Sequence, residues 1–293
     1  MSDAQQYSDS LAAAVEKAGR VTVTVDARGR FPATGLVWDS NGEILTADHV
    51  VQRDENINVT LADGTTHAAT VLGRDPASDL VLLKIDASGL AAPEFTENVK
   101  VGHLVFAVGR PTDLQATLGS VVALGGPVRG RHRRFEAYIQ SDVTMYPGFS
   151  GGPLVDASGR VAGLNSSSLA RGASLAIPVG AVRGIVDALR RDGRVKRGFL
   201  GVSTQPVSLP EDLAGQLGQM TGLMVISAEK DGPADRGGVL QGDVLVALGA
   251  DTVSDIEDLQ AALGPETVGQ ATAIKVVRGG EVKTVSVTVG VRE

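Results

Sequence analysis

The chain has 293 residues, a formal net charge of −7 from 27 Lys and Arg against 34 Asp and Glu, and no cysteine. This length predicts two domains, and the lack of cysteine excludes disulfides, thiolate metal sites and a cysteine nucleophile. The 37 glycines and 12 prolines favour many short strands over a helical bundle, and the acidic balance argues against nucleic acid as the main partner.

The first two thirds of the chain are predicted to be mainly β. After a short helix over residues 8–19, short apolar segments alternate with turn residues. Asn41-Gly42 and Asp63-Gly64 predict tight hairpin turns, because these residues tolerate positive φ. The predicted strands are 21–25, 36–38, 43–46, 58–61, 66–71, 79–85, 103–108, 116–124, 136–140, 153–156, 160–164 and 174–177. Strands at this spacing indicate an antiparallel barrel or sandwich.

The pattern changes after Pro178, where apolar residues at helical spacing predict an amphipathic helix that ends at Gly193. We place the domain boundary in the basic stretch that follows, which gives domains 1–195 and 196–293. In the second domain a helix is predicted after Ser254, with Glu257 completing a capping box. Its predicted strands are 199–203, 222–227, 243–248, 272–278 and 282–289.

The strongest chemical signal is the segment Gly148-Phe149-Ser150-Gly151-Gly152-Pro153-Leu154. A serine hydroxyl attacks only when a base takes its proton and N–H donors meet the developing oxyanion. The glycines around Ser150 give the backbone the freedom to form such a site. We therefore predict an oxyanion hole from the backbone of Gly148, Phe149 and Ser150. The alternative is a glycine-rich turn between two strands.

Two further residues complete a candidate catalytic set. His49, at the end of a predicted strand, is the candidate base, and Asp79, at the start of a very apolar strand, is the candidate orienting carboxylate. Taken alone, each has a plainer interpretation: a semi-buried histidine, and an aspartate that caps a turn. Together they follow the order His, Asp, Ser, which is that of chymotrypsin and differs from those of subtilisin and the α/β-hydrolases.

On these motifs, residues 8–290 resemble the HtrA/Deg family of trypsin-like serine proteases with one C-terminal PDZ domain. The motifs are Gly42-Glu43-Ile44-Leu45-Thr46, Asp48-His49-Val50-Val51, Ser78-Asp79-Leu80-Val81-Leu82-Leu83-Lys84-Ile85, Gln140-Ser141-Asp142, Pro147-Gly148, Ser150-Gly151-Gly152-Pro153-Leu154 and Ala176-Ile177-Pro178. The resemblance implies a mainly β chain: a chymotrypsin-like double β-barrel with the active site between the barrels, followed by a small α+β PDZ domain. It also implies that His49 is the general base, Asp79 its orienting partner and Ser150 the nucleophile.

The resemblance places a specificity pocket near Thr144, Met145, Asn165, Ser166 and Ser167. None of these side chains is charged, so we expect small to medium aliphatic residues before the scissile bond. The family usually has Asn where this chain has Phe149. We expect the Phe149 ring either to pack on the leaving side of the substrate or to mark a rearranged oxyanion loop.

In the second domain, Phe199-Leu200-Gly201-Val202 matches the PDZ loop that receives the C-terminal carboxylate of a peptide on backbone N–H groups. The peptide would add as a strand beside residues 199–203, with the helix over 255–263 as the opposite wall. The alternative is a turn glycine in a domain that binds nothing.

The leading hypothesis is an ATP-independent endopeptidase that degrades unfolded or misfolded proteins through an acyl-enzyme. Hydrophobic peptide C-termini bound by the PDZ domain would control it. The resemblance further implies a homotrimer or higher multiple, with contacts from the segment around Tyr7 and Leu11. We expect no metal and no cofactor, because no metal-binding motif or phosphate loop is present. The alternative is a non-proteolytic holdase or peptide-binding scaffold with a protease-like fold.

No signal or transmembrane segment is visible, since the longest apolar runs are about five residues and a spanning helix needs about 20. We expect either that the protein acts where it is made or that an upstream segment has been removed. By resemblance it is periplasmic or membrane-anchored, with a cytoplasmic location as the alternative. The basic cluster at residues 129–134 is interpreted as a solvated loop, with an allosteric role second and nucleic-acid binding third.

Overall fold

The structure is a computed structural model that describes residues 2–29, 31–126, 128–130, 133–135, 137–168 and 172–291, with the backbone alone for 128–130 and 133–135. The chain folds into two compact units, residues 1–195 and 196–293. The described members of each hydrophobic cluster all come from one unit, so each unit has its own core. No described helix has the length and hydropathy needed to cross a membrane.

The first unit is built mainly of strands. Its helices are α1 (Asp3–Gly19) and α2 (Val179–Asp192), with a 3-10 turn at Asp48–Val50. Its strands are β1 (Thr22–Asp26), β2 (Ala33–Val37), β3 (Glu43–Ala47), β4 (Ile57–Thr60), β5 (Thr66–Asp75), β6 (Leu80–Ile85), β7 (Leu104–Gly109), β8 (Gln115–Gly125), β9 (Val128–Gly130), β10 (Arg133–Phe135), β11 (Tyr138–Ser141), β12 (Pro153–Asp156), β13 (Val161–Ser166) and β14 (Ser174–Pro178).

Twelve of these strands close into two six-stranded barrels. The first barrel has the order β1-β2-β3-β6-β5-β4, and the second has the order β11-β14-β13-β12-β7-β8. All residues of β2 and β3 are buried, which holds the ends of these strands firmly in place. The prediction of a mainly β double barrel is confirmed.

The remaining strands, β9 and β10, pair with each other as a two-stranded antiparallel sheet. Residues 129, 130, 133 and 134 of the basic cluster lie on these two strands. Residues 131 and 132, and all side chains of the cluster, lie outside the described residues.

Helix α1 begins at Asp3, earlier than the predicted start at residue 8. Its N-cap is Ser2, whose hydroxyl accepts a hydrogen bond from the Gln5 N–H at 3.3 Å. The apolar pattern marks only the later turns, where Ala14 and Ala18 are buried against the barrels. The first turns are exposed and therefore have no hydrophobic periodicity from which to predict them.

Helix α2 follows Pro178 as the sequence predicts, and it is capped by Gly193, which adopts the left-handed conformation with φ +70°. Its last turn is attached to the first barrel at two places. The Arg74 N–H of β5 donates to the Gly193 carbonyl at 3.1 Å, and the Arg190 Nε donates to the largely buried Glu43 Oε1 at 2.9 Å. The end of the first unit is thus anchored to its barrel.

The second unit is smaller and mixes strands with short helices. Its elements are β15 (Gly198–Phe199), β16 (Val202–Ser208), α3 (Glu211–Leu217), β17 (Thr221–Ala228), α4 (Pro233–Arg236), β18 (Val244–Leu248), β19 (Asp251–Thr252), α5 (Ile256–Ala262), a 3-10 turn at Pro265–Thr267, β20 (Ala271–Arg278), β21 (Glu281–Thr288) and β22 (Gly290–Val291). The main sheet has the order β16-β17-β18-β20-β21, with β19 on β18, and β15 pairs with β22. Leu223, Leu245, Val276 and Val287 are fully buried in its core.

The N-cap of α5 is Asp255 rather than the predicted Ser254. The Asp255 side chain accepts from the Asp258 N–H at 2.8 Å, and the Asp258 carboxylate accepts from the Ser254 N–H at 3.0 Å. This pair satisfies two N–H groups reciprocally, as a capping box does, but with two aspartates and one residue later than predicted.

An ion pair between the buried Asp243 and the partly exposed Arg278 connects the start of β18 to the end of β20. The guanidinium of Arg278 donates to both oxygens of Asp243 at 2.7 Å, and the Leu240 N–H donates to Asp243 Oδ2 at 2.8 Å. Burial alone would raise the pKa of Asp243, but these hydrogen bonds and the Arg278 charge outweigh it and lower the pKa. Asp243 is therefore ionised at neutral pH and fastens two strands of the sheet.

Candidate active site

His49 and Asp79 meet because of the register between β3 and β6. Ala47, the last residue of β3, pairs with Leu80, the first residue of β6. The 3-10 turn that follows β3 therefore lies beside the residue that precedes β6. The Asp48 N–H donates to the Asp79 carbonyl at 3.0 Å, and the His49 N–H donates to Asp79 Oδ1 at 3.0 Å.

The Asp79 carboxylate is almost fully buried and accepts several hydrogen bonds. His49 Nδ1 lies 2.8 Å from Oδ2 and 3.0 Å from Oδ1, and the hydroxyls of Ser166 and Ser168 both donate to Oδ2. Burial alone would raise the pKa of Asp79, but the hydrogen bonds and the His49 charge outweigh it and hold the pKa below its ordinary value. The Asp79 carboxylate is therefore ionised at neutral pH.

This ionised carboxylate fixes the tautomer of His49. A carboxylate can only accept hydrogen bonds, so Nδ1 of His49 carries the proton that faces Asp79. Nε2 is then the unprotonated nitrogen of the neutral ring. The His49 side chain is 26% exposed, whereas that of Asp79 is 1% exposed. The ring thus has the tautomer and the access that a general base needs.

A second carboxylate lies next to this pair. Burial raises the pKa of Asp48, the residue before His49, and the charge of Arg74 opposes that shift. Nη1 of Arg74 lies 3.2 Å from Asp48 Oδ1. Arg74 thus offsets negative charge beside the His49–Asp79 pair.

Backbone pairing between the segment before β12 and the end of β13 positions Ser150. The Gly151 N–H donates to the Asn165 carbonyl at 2.9 Å, and the Asn165 N–H donates to the Gly152 carbonyl at 2.8 Å. Gly151 has φ +87°, and a Cβ at this position would lie 2.1 Å from the Thr34 carbonyl oxygen. Only glycine fits there.

Thr34, on β2 of the first barrel, holds the same loop, and the sequence analysis missed it. Its hydroxyl donates to the Gly148 carbonyl at 2.7 Å and accepts from the Arg110 N–H at 2.8 Å. Its N–H also donates to the Ser150 carbonyl at 3.4 Å. Thr34 therefore links the first barrel to the nucleophile loop of the second. In the sequence Thr34 is a single hydroxyl residue in the apolar segment Ala33–Val37, and its full burial is visible only in the structure.

The hydroxyl of Ser150 is paired with Ser167. The two Oγ atoms lie 2.9 Å apart, and the Ser167 N–H donates to Ser150 Oγ at 3.2 Å. Among the hydrogen bonds of the described residues, none joins Ser150 to His49. The structure thus brings the acid and the base into contact and places the candidate nucleophile beside Ser167.

Of the three backbone N–H groups predicted for the oxyanion hole, one is already used. The Phe149 N–H donates to the Tyr146 carbonyl at 3.1 Å and is therefore engaged in this structure. The N–H groups of Gly148 and Ser150 have no acceptor within the part of the chain that is described. Gly148 has φ +92°, a conformation that favours glycine.

The segment Phe199–Val202 of the second unit forms a turn in which Gly201 has φ +75°. The carbonyls of Leu200 and Gly201 accept from Ala234 and Glu229, at 2.8 and 2.7 Å. Their own N–H groups have no acceptor among the described residues. Helix α5 packs against β16 just beyond this turn. A turn with unpaired N–H groups beside a strand and a helix is suited to a peptide carboxylate.

Comparisons with known proteins agree with both halves of this description. The family description "Trypsin-like peptidase domain" matches residues 33–164, and "PDZ domain" matches residues 198–289. The structure of the "HtrA-type protease AlgW with tripeptide" is 31% identical, has a TM-score of 0.79 and covers 97% of each chain. The chain belongs to the HtrA family.

Curated HtrA relatives give the same result by sequence. A "Probable periplasmic serine endoprotease DegP-like" of Chlamydia pneumoniae is 36% identical over 87% of this chain and 54% of its own length. The protein of the same name from Halomonas elongata is 37% identical over 89% of this chain and 56% of its own length. The chain therefore spans about half the length of these relatives. The predicted family, with a trypsin-like domain and a PDZ domain, is confirmed.

Phe149 stands where the family usually has Asn, and the structure bears on one of our two expectations for it, packing on the leaving side of the substrate. The other, a rearranged oxyanion loop, stays a prediction. The ring is fully buried in the core of the second barrel and meets the exposed Tyr146 ring edge-on, with centroids 5.8 Å apart. A Cβ on Gly109 would lie 2.5 Å from Phe149 Cδ1, so the ring packs directly on that strand. It does not lie on the substrate's leaving side.

The five residues predicted for the HtrA specificity pocket divide into two groups. Asn165 and Ser166 are buried, and their side chains are engaged elsewhere: Asn165 Nδ2 donates to the Pro153 carbonyl at 2.8 Å, and Ser166 donates to Asp79. Thr144 and Ser167 are exposed, and Met145 is half-buried. These last three stay candidates for lining a pocket. Among the residues described, no group of three His, Cys, Asp or Glu side chains is placed to hold a metal ion.

Proposed function

We propose that the chain is an ATP-independent serine endopeptidase in which His49 is the general base, Asp79 its orienting partner and Ser150 the nucleophile. The observation that carries this proposal is the contact of His49 Nδ1 with the buried, ionised Asp79, beside the loop of Ser150. The HtrA relatives named as serine endoproteases support it.

In the proposed reaction, His49 Nε2 takes the Ser150 proton as Oγ attacks the scissile carbonyl. Asp79 stabilises the imidazolium that forms. The N–H groups of Gly148 and Ser150 receive the oxyanion, and His49 then gives its proton to the leaving amine. Water hydrolyses the acyl-enzyme by the reverse sequence of proton transfers. We propose uncharged aliphatic residues before the scissile bond, because Thr144, Met145 and Ser167 carry no charge.

We further propose that the substrates are unfolded or misfolded proteins and that hydrophobic peptide C-termini bind the second unit. The unpaired N–H groups of Leu200 and Gly201 support this, and HtrA-type AlgW structures are described as holding a tripeptide or a decapeptide. The half-buried Val202, directly after these N–H groups, and Leu263, directly after α5, pack against the core of the second unit and supply apolar surface for such a peptide.

For assembly and location, we propose a homotrimer or higher multiple in the periplasm. Tyr7 on α1 is 54% exposed, an apolar side chain available for contact with another copy. The relatives' names carry the word periplasmic.

A second candidate function is a non-proteolytic holdase. The pairing of Ser150 with Ser167 instead of His49 favours it, because a nucleophile without its base does not attack.

Degradation of β-casein by the purified full chain tests the proposal, with Ser150→Ala as the control. Cleavage that is lost in the variant, and that a hydrophobic C-terminal peptide stimulates, is the expected result. Cleavage that survives in Ser150→Ala would refute the assigned nucleophile. Suppression of client aggregation without cleavage under any condition would favour the holdase.

A further inference from the structure

Three consecutive serines connect the acid and the nucleophile of the candidate site. Ser166 and Ser168 donate to Asp79 Oδ2, and their own hydroxyls lie 2.9 Å apart. Ser167, between them, faces the other way and contacts Ser150. Ser166 is the last residue of β13, and Ser167 and Ser168 lie in the turn that follows it. This strand end and turn together present one hydroxyl to the candidate nucleophile and two to the acid.

The hydrogen bonds of Ser150 Oγ leave it poorly placed to attack. A hydroxyl has one proton and two lone pairs, and the Ser167 N–H already engages one lone pair. If Ser150 donates to Ser167 Oγ, its proton points away from His49. If Ser167 donates instead, the second lone pair of Ser150 is engaged as well. In both cases the Ser150–Ser167 pair opposes the reaction.

We propose that Ser167 is a latch that holds Ser150 in a resting state and must release it before acylation. This inference rests on the proposed serine endopeptidase function and adds its regulation. Ser167 is exposed, so a bound substrate or another chain can reach the latch directly. Because Ser166 and Ser168 flank it, movement of this segment also changes the hydrogen bonds to Asp79, which makes both serines positioning residues for the acid.

Labelling by a fluorophosphonate probe tests the latch through the reactivity of Ser150. In Ser167→Ala the hydroxyl pair is lost, and we expect the second-order labelling rate to rise about three- to tenfold, the effect of one neutral hydrogen bond. Ser167→Thr keeps a hydroxyl, so we expect its labelling rate to stay below that of Ser167→Ala. Ser158→Ala is the matched control, because Ser158 lies on an exposed turn away from the site. A rate in Ser167→Ala that is unchanged or lower overturns the latch.

A second measurement is independent of activity. The Ser167 N–H donates to Ser150 Oγ, so its amide hydrogen exchange in Ser150→Ala should be about three- to tenfold faster than in the native chain. The Ser158 amide, which donates to Asp156, is the internal reference. Equal exchange at Ser167 in both proteins overturns the latch. If no variant reacts with the probe, the proposed function fails, and the exchange measurement still decides whether the latch exists.

Discussion

At the scale of single residues, Thr34 has two hydrogen-bond roles that a methyl group cannot perform. Thr34→Val keeps the shape of the side chain but leaves the Gly148 carbonyl and the Arg110 N–H without their partner. We expect a loss of about 1–3 kcal/mol in the free energy of unfolding and about tenfold in kcat/KM, because the nucleophile loop is less firmly held. Urea unfolding and peptide hydrolysis measure the two effects. Thr34→Ser keeps the hydroxyl and is expected to retain most of both; a Thr34→Val protein equal to the native one would contradict the role.

Phe149 is predicted to matter for stability through its burial. Phe149→Ala removes a fully buried ring, and the free energy of unfolding should fall by about 3–5 kcal/mol. Tyr146→Ala, at an exposed position beside it, should cost about 1 kcal/mol, mainly through the lost edge-to-face contact. Urea denaturation of both variants gives the comparison. If both variants lost a similar free energy of unfolding, the burial of the Phe149 ring would not be what stabilises the second barrel.

Some residues of the site can be predicted from the sequence and others cannot. His49, Asp79 and Ser150 each lie at a strand end within a local motif, so their residue types and order already indicate the chemistry. The role of Thr34 depends on a hydrogen bond across 114 positions to Gly148, which exists only after both barrels have closed. The resemblance places Ser166 near a specificity pocket, whereas the structure shows its hydroxyl donating to Asp79. The sequence does not reveal this contact, because the packing of the barrels decides which face of β13 meets Asp79.

At the scale of elements, the Asp243–Arg278 pair makes the sheet of the second unit sensitive to acid. The folded-state pKa of Asp243 lies below its ordinary value of 3.8. The stabilisation is therefore complete above about pH 5 and is lost as the pH falls through the ordinary value towards the folded-state pKa. We expect the urea midpoint of the second unit to fall over this range.

Asp243→Asn tests that expectation in the full chain, with the second unit followed through its amide resonances. The variant should have a lower urea midpoint at pH 7 and a shallower fall below pH 5. Asp251→Asn removes the same charge at an exposed position and is the matched control. A fall below pH 5 as steep in Asp243→Asn as in the control would show that the pair is not responsible.

Elements with strong periodicity were predicted, and elements without it were not. Most barrel strands and α2 carry alternation or a helical stripe, so their positions follow from the sequence. The short α3 and α4 span too few residues to show a helical stripe, and α1 has exposed first turns. The shift of the α5 cap from Ser254 to Asp255 shows the remaining difficulty, since two neighbouring residues can both cap a helix.

At the scale of the whole molecule, the separate cores predict two independent folding units. We expect residues 196–293, produced alone, to fold and to unfold at the urea concentration at which the second unit unfolds in the full chain. Dispersed amide resonances and matching midpoints are the measurement. A fragment that stays unfolded would show that the second unit depends on the first.

The hydrogen bond from Arg74 to Gly193 fixes the point at which the second unit is attached to the first. Only residues 194–197 separate that fixed point from β15, and four residues span at most about 14 Å. A peptide bound by the second unit would therefore be tethered to the molecule that carries the candidate active site, instead of diffusing freely.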